Sequence, residues 1–303
     1  MAVFEGFETR DIATPGGAIH LRIGGSGEPL LLLHGYPQTS AMWHAVAPAL
    51  AERFTVICPD LPGYGDSEKP PSTDDHAAYS KRGMASTLVH VMRALGFEQW
   101  LLAGHDRGAR VSYRMALDHS QRVTKLATLD VVPTYSSWEA MNWRGAMGSY
   151  HWQFLAQPAP LPETLIAADP VFYLRNTLAR WAAPGFQFHS EAMAEYERAF
   201  SNPETVRACC EDYRAGATID YELDAADYGK RKIECPMLAL WGQRPGSPPR
   251  DLLPTWREWA TDVRGAGVSC GHFLPEEAPE ETVRALLAFF AETALESRGS
   301  APA

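Results

Sequence analysis

The chain has 303 residues, 46% of them hydrophobic and 21% charged, a globular balance far from that of disordered chains. Lys plus Arg number 27 against 37 Asp plus Glu, a formal net charge of −10. That argues against a broad nucleic-acid or membrane-binding surface but leaves room for a local arginine cluster. No run approaches the ~20 apolar residues that cross a bilayer, and the start MAVFEGFETRD lacks the basic and apolar regions of a signal peptide. Five cysteines (Cys58, Cys209, Cys210, Cys235 and Cys270) with no C-x-x-C pair suggest neither a disulfide framework nor a zinc site. The expectation is a cytoplasmic protein with reduced, mostly buried thiols.

Short apolar runs alternate with amphipathic ones in the first half. Residues 29–33 (PLLLL) and 54–58 (FTVIC) read as buried strands. Residues 85–95 fit a helix, with Leu88, Val91, Met92 and Leu95 on one face and Gly96 as its stop. A strand over 100–103, a helix over 107–117 and a strand over 125–129 follow. This alternation predicts a mostly parallel sheet with flanking helices and right-handed crossovers. From 133 to 232 no strand-like run appears, and the stretch is rich in Trp, Tyr, Ala and Pro. A structureless loop of that length is improbable, so an inserted helical cap subdomain is expected over 134–232, with the α/β core in 1–133 and 233–303. Strands over 237–241 and near 262–263 and a helix over 280–295 complete the core. The last residues, SRGSAPA, read as a frayed tail.

One motif carries the chemistry. Gly104-His105-Asp106-Arg107-Gly108 follows a predicted strand and opens a predicted helix, the context of a nucleophile elbow, G-x-Nuc-x-G. The residue at the turn is Asp, not Ser. A carboxylate is a nucleophile at pH 7 without activation; it attacks carbon, displaces a leaving group and leaves an alkyl ester that water must hydrolyse with the help of a base. His272, between the last strand and the last helix, stands where chain order predicts that base. Residues 241–244 offer no carboxylate to orient it. Asp130, which ends the strand beside Asp106, is therefore assigned as its partner on the logic of the serine triad, with Asp251 as the fallback.

Arg107 and Arg110 share a helix face beside Asp106. Two guanidinium groups next to a nucleophilic carboxylate fit a substrate that is itself an anion, clamped for in-line attack. A solvated pair, or an ion pair with Asp106, is the alternative. Arg114, two turns on, reads as structural. In the inserted segment His151, Trp152 and Tyr213 offer imidazole, indole and phenol donors that could meet charge growing on a leaving group, among other tryptophans (Trp138, Trp143 and Trp181) with no assigned role.

The chain resembles the α/β-hydrolase superfamily along nearly its whole length, including His34-Gly35-Tyr36-Pro37 and Asp60-Leu61-Pro62-Gly63-Tyr64-Gly65. The Asp nucleophile looks like the branch that holds haloalkane dehalogenases, epoxide hydrolases and fluoroacetate dehalogenases. Five segments are similar to the last of these: GHDRGAR (104–110), LDVVPTY (129–135), YHWQFLAQPAP (150–160), CEDYRAG (210–216) and GHFLPEE (271–277). The resemblance implies an α/β-hydrolase fold that turns haloacetates into glycolate and halide with no cofactor and no metal. It implies Asp106 as nucleophile, His272 as base and Asp130 as its partner. Arg107 and Arg110 would hold the substrate carboxylate, His151, Trp152 and Tyr213 the halide, and the backbone N–H groups of Tyr36 and Arg107 the oxyanion. It also implies a homodimer. An epoxide hydrolase using the same Asp/His pair with Tyr150 and Tyr213, or a silent ligand receptor on the same fold, are the other readings.

Overall fold

The computed structural model describes residues 4–244 and 246–292. Its centre is one eight-stranded sheet: β1 (Glu8–Ile12), β2 (Ile19–Gly25), β3 (Glu28–Leu33), β4 (Phe54–Pro59), β5 (Trp100–His105), β6 (Val123–Leu129), β7 (Met237–Gly242) and β8 (Val263–Val268), in the order β1-β2-β4-β3-β5-β6-β7-β8. β3 through β8 pair in parallel, and β1 and β2 add an antiparallel edge. The central strands are apolar throughout because helices cover both faces; Leu30 to Leu33 are fully buried. β1 and β2 escaped the sequence reading because an edge strand alternates and exposes one face. β1 has no buried residue at all.

Helices α1 (Ala47–Ala51), α2 (Lys81–Ala94) and α3 (Arg107–Asp118) follow strands of the first half. α2 starts four residues before its apolar stripe, since the Ser80 hydroxyl accepts the Gly83 N–H and caps it. Between β6 and β7 lie α4 (Thr134–Glu139), α5 (Trp143–Gly148), α6 (Tyr150–Leu155), α7 (Leu161–Ala167), α8 (Pro170–Trp181), α9 (Ser190–Phe200), α10 (Pro203–Ala217) and α11 (Ile219–Asp227), with no strand among these described residues. α12 (Leu253–Trp259), α13 (Leu274–Glu277) and α14 (Pro279–Ala291) close the chain. α14 buries Leu286 and Phe290; Leu295 and the SRGSAPA tail lie outside the described residues. Among the described residues no helix is long and apolar enough to cross a membrane.

Register positions the site. His105 is paired with Leu129, and Leu129 with Leu240. Asp106 and Asp130 therefore stand side by side, each one residue beyond a strand end. Their own N–H groups continue the ladder, Asp106 to the Leu129 carbonyl at 3.2 Å and Asp130 to that of Leu240 at 2.8 Å.

Candidate active site

Asp106 bridges β5 and α3 at φ 49°, ψ −118°, a conformation costly to any residue with a Cβ. Its neighbours must be glycine to permit the turn. A Cβ on Gly108 would fall 2.2 Å from the His34 carbonyl oxygen, and one on Gly35 would fall 2.5 Å from the Asp106 Cβ. The strained turn lifts the carboxylate off the strand end and aims it across the loop after β3. There the Tyr36 N–H donates to Asp106 Oδ1 at 2.9 Å. That loop is itself pinned: His34 Nε2 accepts the Leu61 N–H, and Asp60 Oδ1 accepts the Ser40 N–H.

His272 Nε2 lies 3.7 Å from Asp106 Oδ2, an ion-pair distance too long for a hydrogen bond. Its Nδ1 donates to Asp130 Oδ2 at 2.6 Å. The other Asp130 oxygen accepts from the Gly242 N–H at 3.1 Å and from Arg250 at 3.0 Å. Asp251 is turned elsewhere and accepts the Leu253 N–H at the start of α12. Burial opposes a charge on the His272 ring, but the Asp106 and Asp130 carboxylates outweigh it and hold the imidazolium up to about 9. Burial would likewise raise Asp106. His272, His105 and Arg107 reverse that and keep the carboxyl far below its usual range. The two carboxyl groups thus favour the charged form of the ring between them.

The two arginines differ. Arg107 is not solvated and does not pair with Asp106. It ends on Asp212 of α10, with Nε to Oδ2 at 3.0 Å and Nη2 to Oδ1 at 2.6 Å, and stacks over the Tyr213 ring at 4.2 Å. Asp212 also takes the Lys81 ammonium and the Tyr64 hydroxyl; despite burial, the two cations hold its carboxyl down to about 2. Arg110 is 4% exposed, donates only to the Thr134 and Ser137 hydroxyls at 3.2 Å, and lies over Trp152 at 4.5 Å. Among the described residues it has no carboxylate partner. Arg114 is held by Asp224 and Asp227.

His151 and Tyr213 reach the same pocket from α6 and α10, their rings 5.6 Å apart and each against Tyr36. Trp152 follows on α6, edge-on to Trp138. Burial drives the His151 imidazolium down to about 3, so the ring is neutral at pH 7. Burial and the Asp106 charge raise the Tyr213 phenol, so it keeps its proton. Arg107 Nη1, Arg110 Nε, His151 Nδ1, Tyr213 Oη and His272 Nε2 are all buried with no hydrogen bond among the described residues. Buried polar atoms are rarely left so, and these belong to side chains in a connected cluster around Tyr36, Tyr213 and Trp181.

Asp106, His272, Asp130, Arg107, Arg110, His151, Trp152, Tyr213 and Tyr36 lie close together, whereas Asp251, Arg114 and Trp143 lie elsewhere; some parts of the site were missed. Asp212 fixes Arg107, and Trp181 was passed over as one tryptophan among several. Trp181 packs on both His151 and His272, at 4.5 and 5.4 Å, and its carbonyl accepts the His272 N–H. Trp143, by contrast, is 69% exposed. Asp212 had one readable signal: a carboxylate beside Cys209, Cys210 and Tyr213 on a helix that must be buried requires a cation.

The α/β-hydrolase fold family model matches residues 28–279. The chain is 44% identical over 292 residues to the fluoroacetate dehalogenase of Burkholderia sp, covering 96% of each. It is 38% identical over 280 residues to the soluble epoxide hydrolase of Corynebacterium sp. (strain C12), covering 90% of this chain and 93% of that one. A solved structure from Nostoc sp PCC 7120, provisionally described as an α/β hydrolase, superposes with a TM-score of 0.92 at 52% identity over 95% of this chain and 99% of the other. With its mostly parallel sheet and Asp106 on the turn after β5, the chain belongs to the α/β-hydrolase fold family.

Proposed function

We propose that this chain hydrolyses haloacetates, fluoroacetate first and chloroacetate with it, to glycolate and halide through a covalent ester on Asp106. The observation that carries the reading is Arg110, a buried guanidinium without a carboxylate partner among the described residues, one helical turn from a buried nucleophilic carboxylate. A charge left this way is costly unless a ligand supplies the counter-charge. The substrate it suits is a small anion with an electrophilic carbon. The similarity to fluoroacetate dehalogenase supports the same choice.

Asp106 Oδ1 carries the Tyr36 N–H, which leaves Oδ2 to attack the α-carbon from behind the carbon–halogen bond. The substrate carboxylate rests on Arg110 and on the free Nη1 of Arg107. The halide departs toward His151, Trp152 and Tyr213, whose donors stabilise its growing charge. Esterification then removes the Asp106 charge. One of the two carboxylates that hold up the His272 imidazolium is gone and its pKa falls, so the ring gives its proton up to solvent and, now neutral, can take one from the attacking water. That water attacks the Asp106 carboxyl carbon, and the Tyr36 and Arg107 N–H groups hold the oxyanion. No metal or organic cofactor enters the scheme.

Residues 134–232 act in this reading as a cap over the strand ends, since α6 and α10 bring His151, Trp152, Asp212 and Tyr213 against α3. The cap also offers a dimer surface: Trp143, Met147, Leu161, Leu165 and Phe172 are large, apolar and over half exposed. Light scattering of the purified protein checks the homodimer. An epoxide hydrolase is the second reading, favoured by the 38% identical relative; a neutral epoxide would leave Arg110 without a counter-charge.

Halide release across fluoro-, chloro- and bromoacetate, with an epoxide alongside, tests the function. His272→Asn is expected to stop after the first step, with one carboxymethyl group on the protein by intact mass. Halide release by the wild type without any adduct on the variant would defeat the scheme.

A further inference from the structure

Glu277, at the end of α13, accepts three hydrogen bonds, all from backbone N–H groups. Its Oε1 takes that of Phe273 at 2.8 Å, and its Oε2 takes those of Gly271 at 2.8 Å and Ala183 at 2.7 Å. Phe273 and Gly271 flank His272. Ala183 lies in the link between α8 and α9, and the last residue of α8, Trp181, accepts the His272 N–H on its carbonyl at 3.0 Å. One carboxylate therefore grips the chain on both sides of His272 and ties it to the helical segment. The approach is too close for a side chain at 271, where a Cβ would fall 2.7 Å from Glu277 Oε1 and 2.4 Å from the Ala183 nitrogen.

The chemistry of the group fits the task. An ionised carboxylate is an acceptor at both oxygens, and here donors approach both. A glutamine keeps one acceptor oxygen and turns its NH2 against an N–H. We propose that Glu277 is a positioning residue for the hydrolytic step: it holds His272 where Nε2 meets the water that attacks the ester, and it couples that placement to the helices over the strand ends. The inference rests on the covalent-ester reading above. The first step uses Asp106, the arginines and the halide donors, none of which Glu277 touches. The second step depends on the position of His272.

The test separates the two steps. Glu277→Gln mixed rapidly with chloroacetate is expected to release one equivalent of chloride per protein at close to the wild-type rate. It should then turn over about 10- to 100-fold more slowly, the loss expected from a small displacement of a catalytic group, with a carboxymethyl adduct accumulating by intact mass. Glu277→Asp keeps the charge but shortens the reach, so it is expected to slow the same phase by less; if the Gln variant does not fold, the Asp variant decides. Equal slowing of both phases, or unchanged turnover with no adduct, would overturn the proposal. A second readout needs no substrate. The Nδ1 proton shared by His272 and Asp130 is expected far downfield in the proton NMR spectrum of the wild type, and to shift or broaden in the variants; an unmoved signal would overturn the positioning role. Failure of the wild type to release halide from any haloacetate would defeat the proposed function instead, and the NMR signal alone would then judge Glu277.

Discussion

At the sheet edge, Asp106 and Asp130 sit where paired strands end, and His272 follows β8 on the same side. The two aspartates are placed by backbone ladders and by two turns at positive φ, at Asp106 and at Asp130. Across the pocket, His151, Trp152, Asp212 and Tyr213 sit on helices that share no strand register with the sheet. Side-chain packing alone brings them to α3. The first region holds charges that stabilise one another. The second meets α3 with one arginine neutralised by Asp212 and the other left open. In the proposed reaction, that difference assigns bond making to the strand ends and the choice of substrate to the helices.

The hardest blow to that comparison is at the edge. Asp106→Asn should lower turnover by at least ~10⁴-fold, the scale of losing a nucleophile, with no covalent adduct from any haloacetate. Retained activity would mean that the turn after β5 does not carry the bond. Next come the two arginines, where the expected signs differ. Arg110→Met should raise KM for chloroacetate about 100-fold, two charge-assisted hydrogen bonds' worth, and should raise the melting temperature, because among the described residues this buried charge has no ion-pair partner at contact distance. Arg107→Met should weaken binding and lower the melting temperature, since Asp212 keeps only Lys81. The same sign for both would erase the distinction. On the helical side, Trp152→Phe removes one N–H from the halide pocket. It should cost about 10-fold more with fluoroacetate than with chloroacetate, because fluoride needs the donor most; equal losses would make Trp152 a packing residue.

Much of the edge was legible in the sequence because its signals are local. An apolar run, a G-x-D-x-G turn and a helix occupy consecutive residues, and Asp130 and His272 each follow a strand that can be read. Asp251 was a reasonable rival to Asp130 on chain order, and what separates them is the hydrogen bond of Asp130 to His272, while Asp251 accepts the Leu253 N–H at the start of α12. The helical character of residues 134–232 was legible from the absence of strand-like runs, but the roles of its side chains came through resemblance alone. Nothing near residue 212 announces an arginine 105 residues earlier, and the Glu277 contacts to Ala183 span 94 residues. β1 and β2 were missed for another reason: β1 is an exposed edge strand with no buried residue, and β2 buries only Ile19 and Leu21, so neither carries enough apolar pattern to stand out.

The smallest expected effect lies where the two regions are joined. Glu276 on α13 is buried between the Gln38 amide of the loop after β3 and the Tyr196 hydroxyl of α9. Burial lifts its carboxyl to about 8, against the hydrogen bonds from Gln38 and Tyr196. The folded protein therefore keeps this group neutral at pH 7, while the unfolded chain ionises it above its ordinary value of 4.5. Stability from this group is complete below that value and is lost as the pH rises toward about 8. Glu276→Gln keeps an acceptor for Tyr196 and a donor for Gln38 but cannot ionise. Its melting temperature should match that of the wild type near pH 4.5 and exceed it by about 2–4 °C near pH 8. Parallel curves across that range would mean that the carboxyl is charged in the fold and that α9 is fastened to the sheet edge by an ion rather than by a neutral acid.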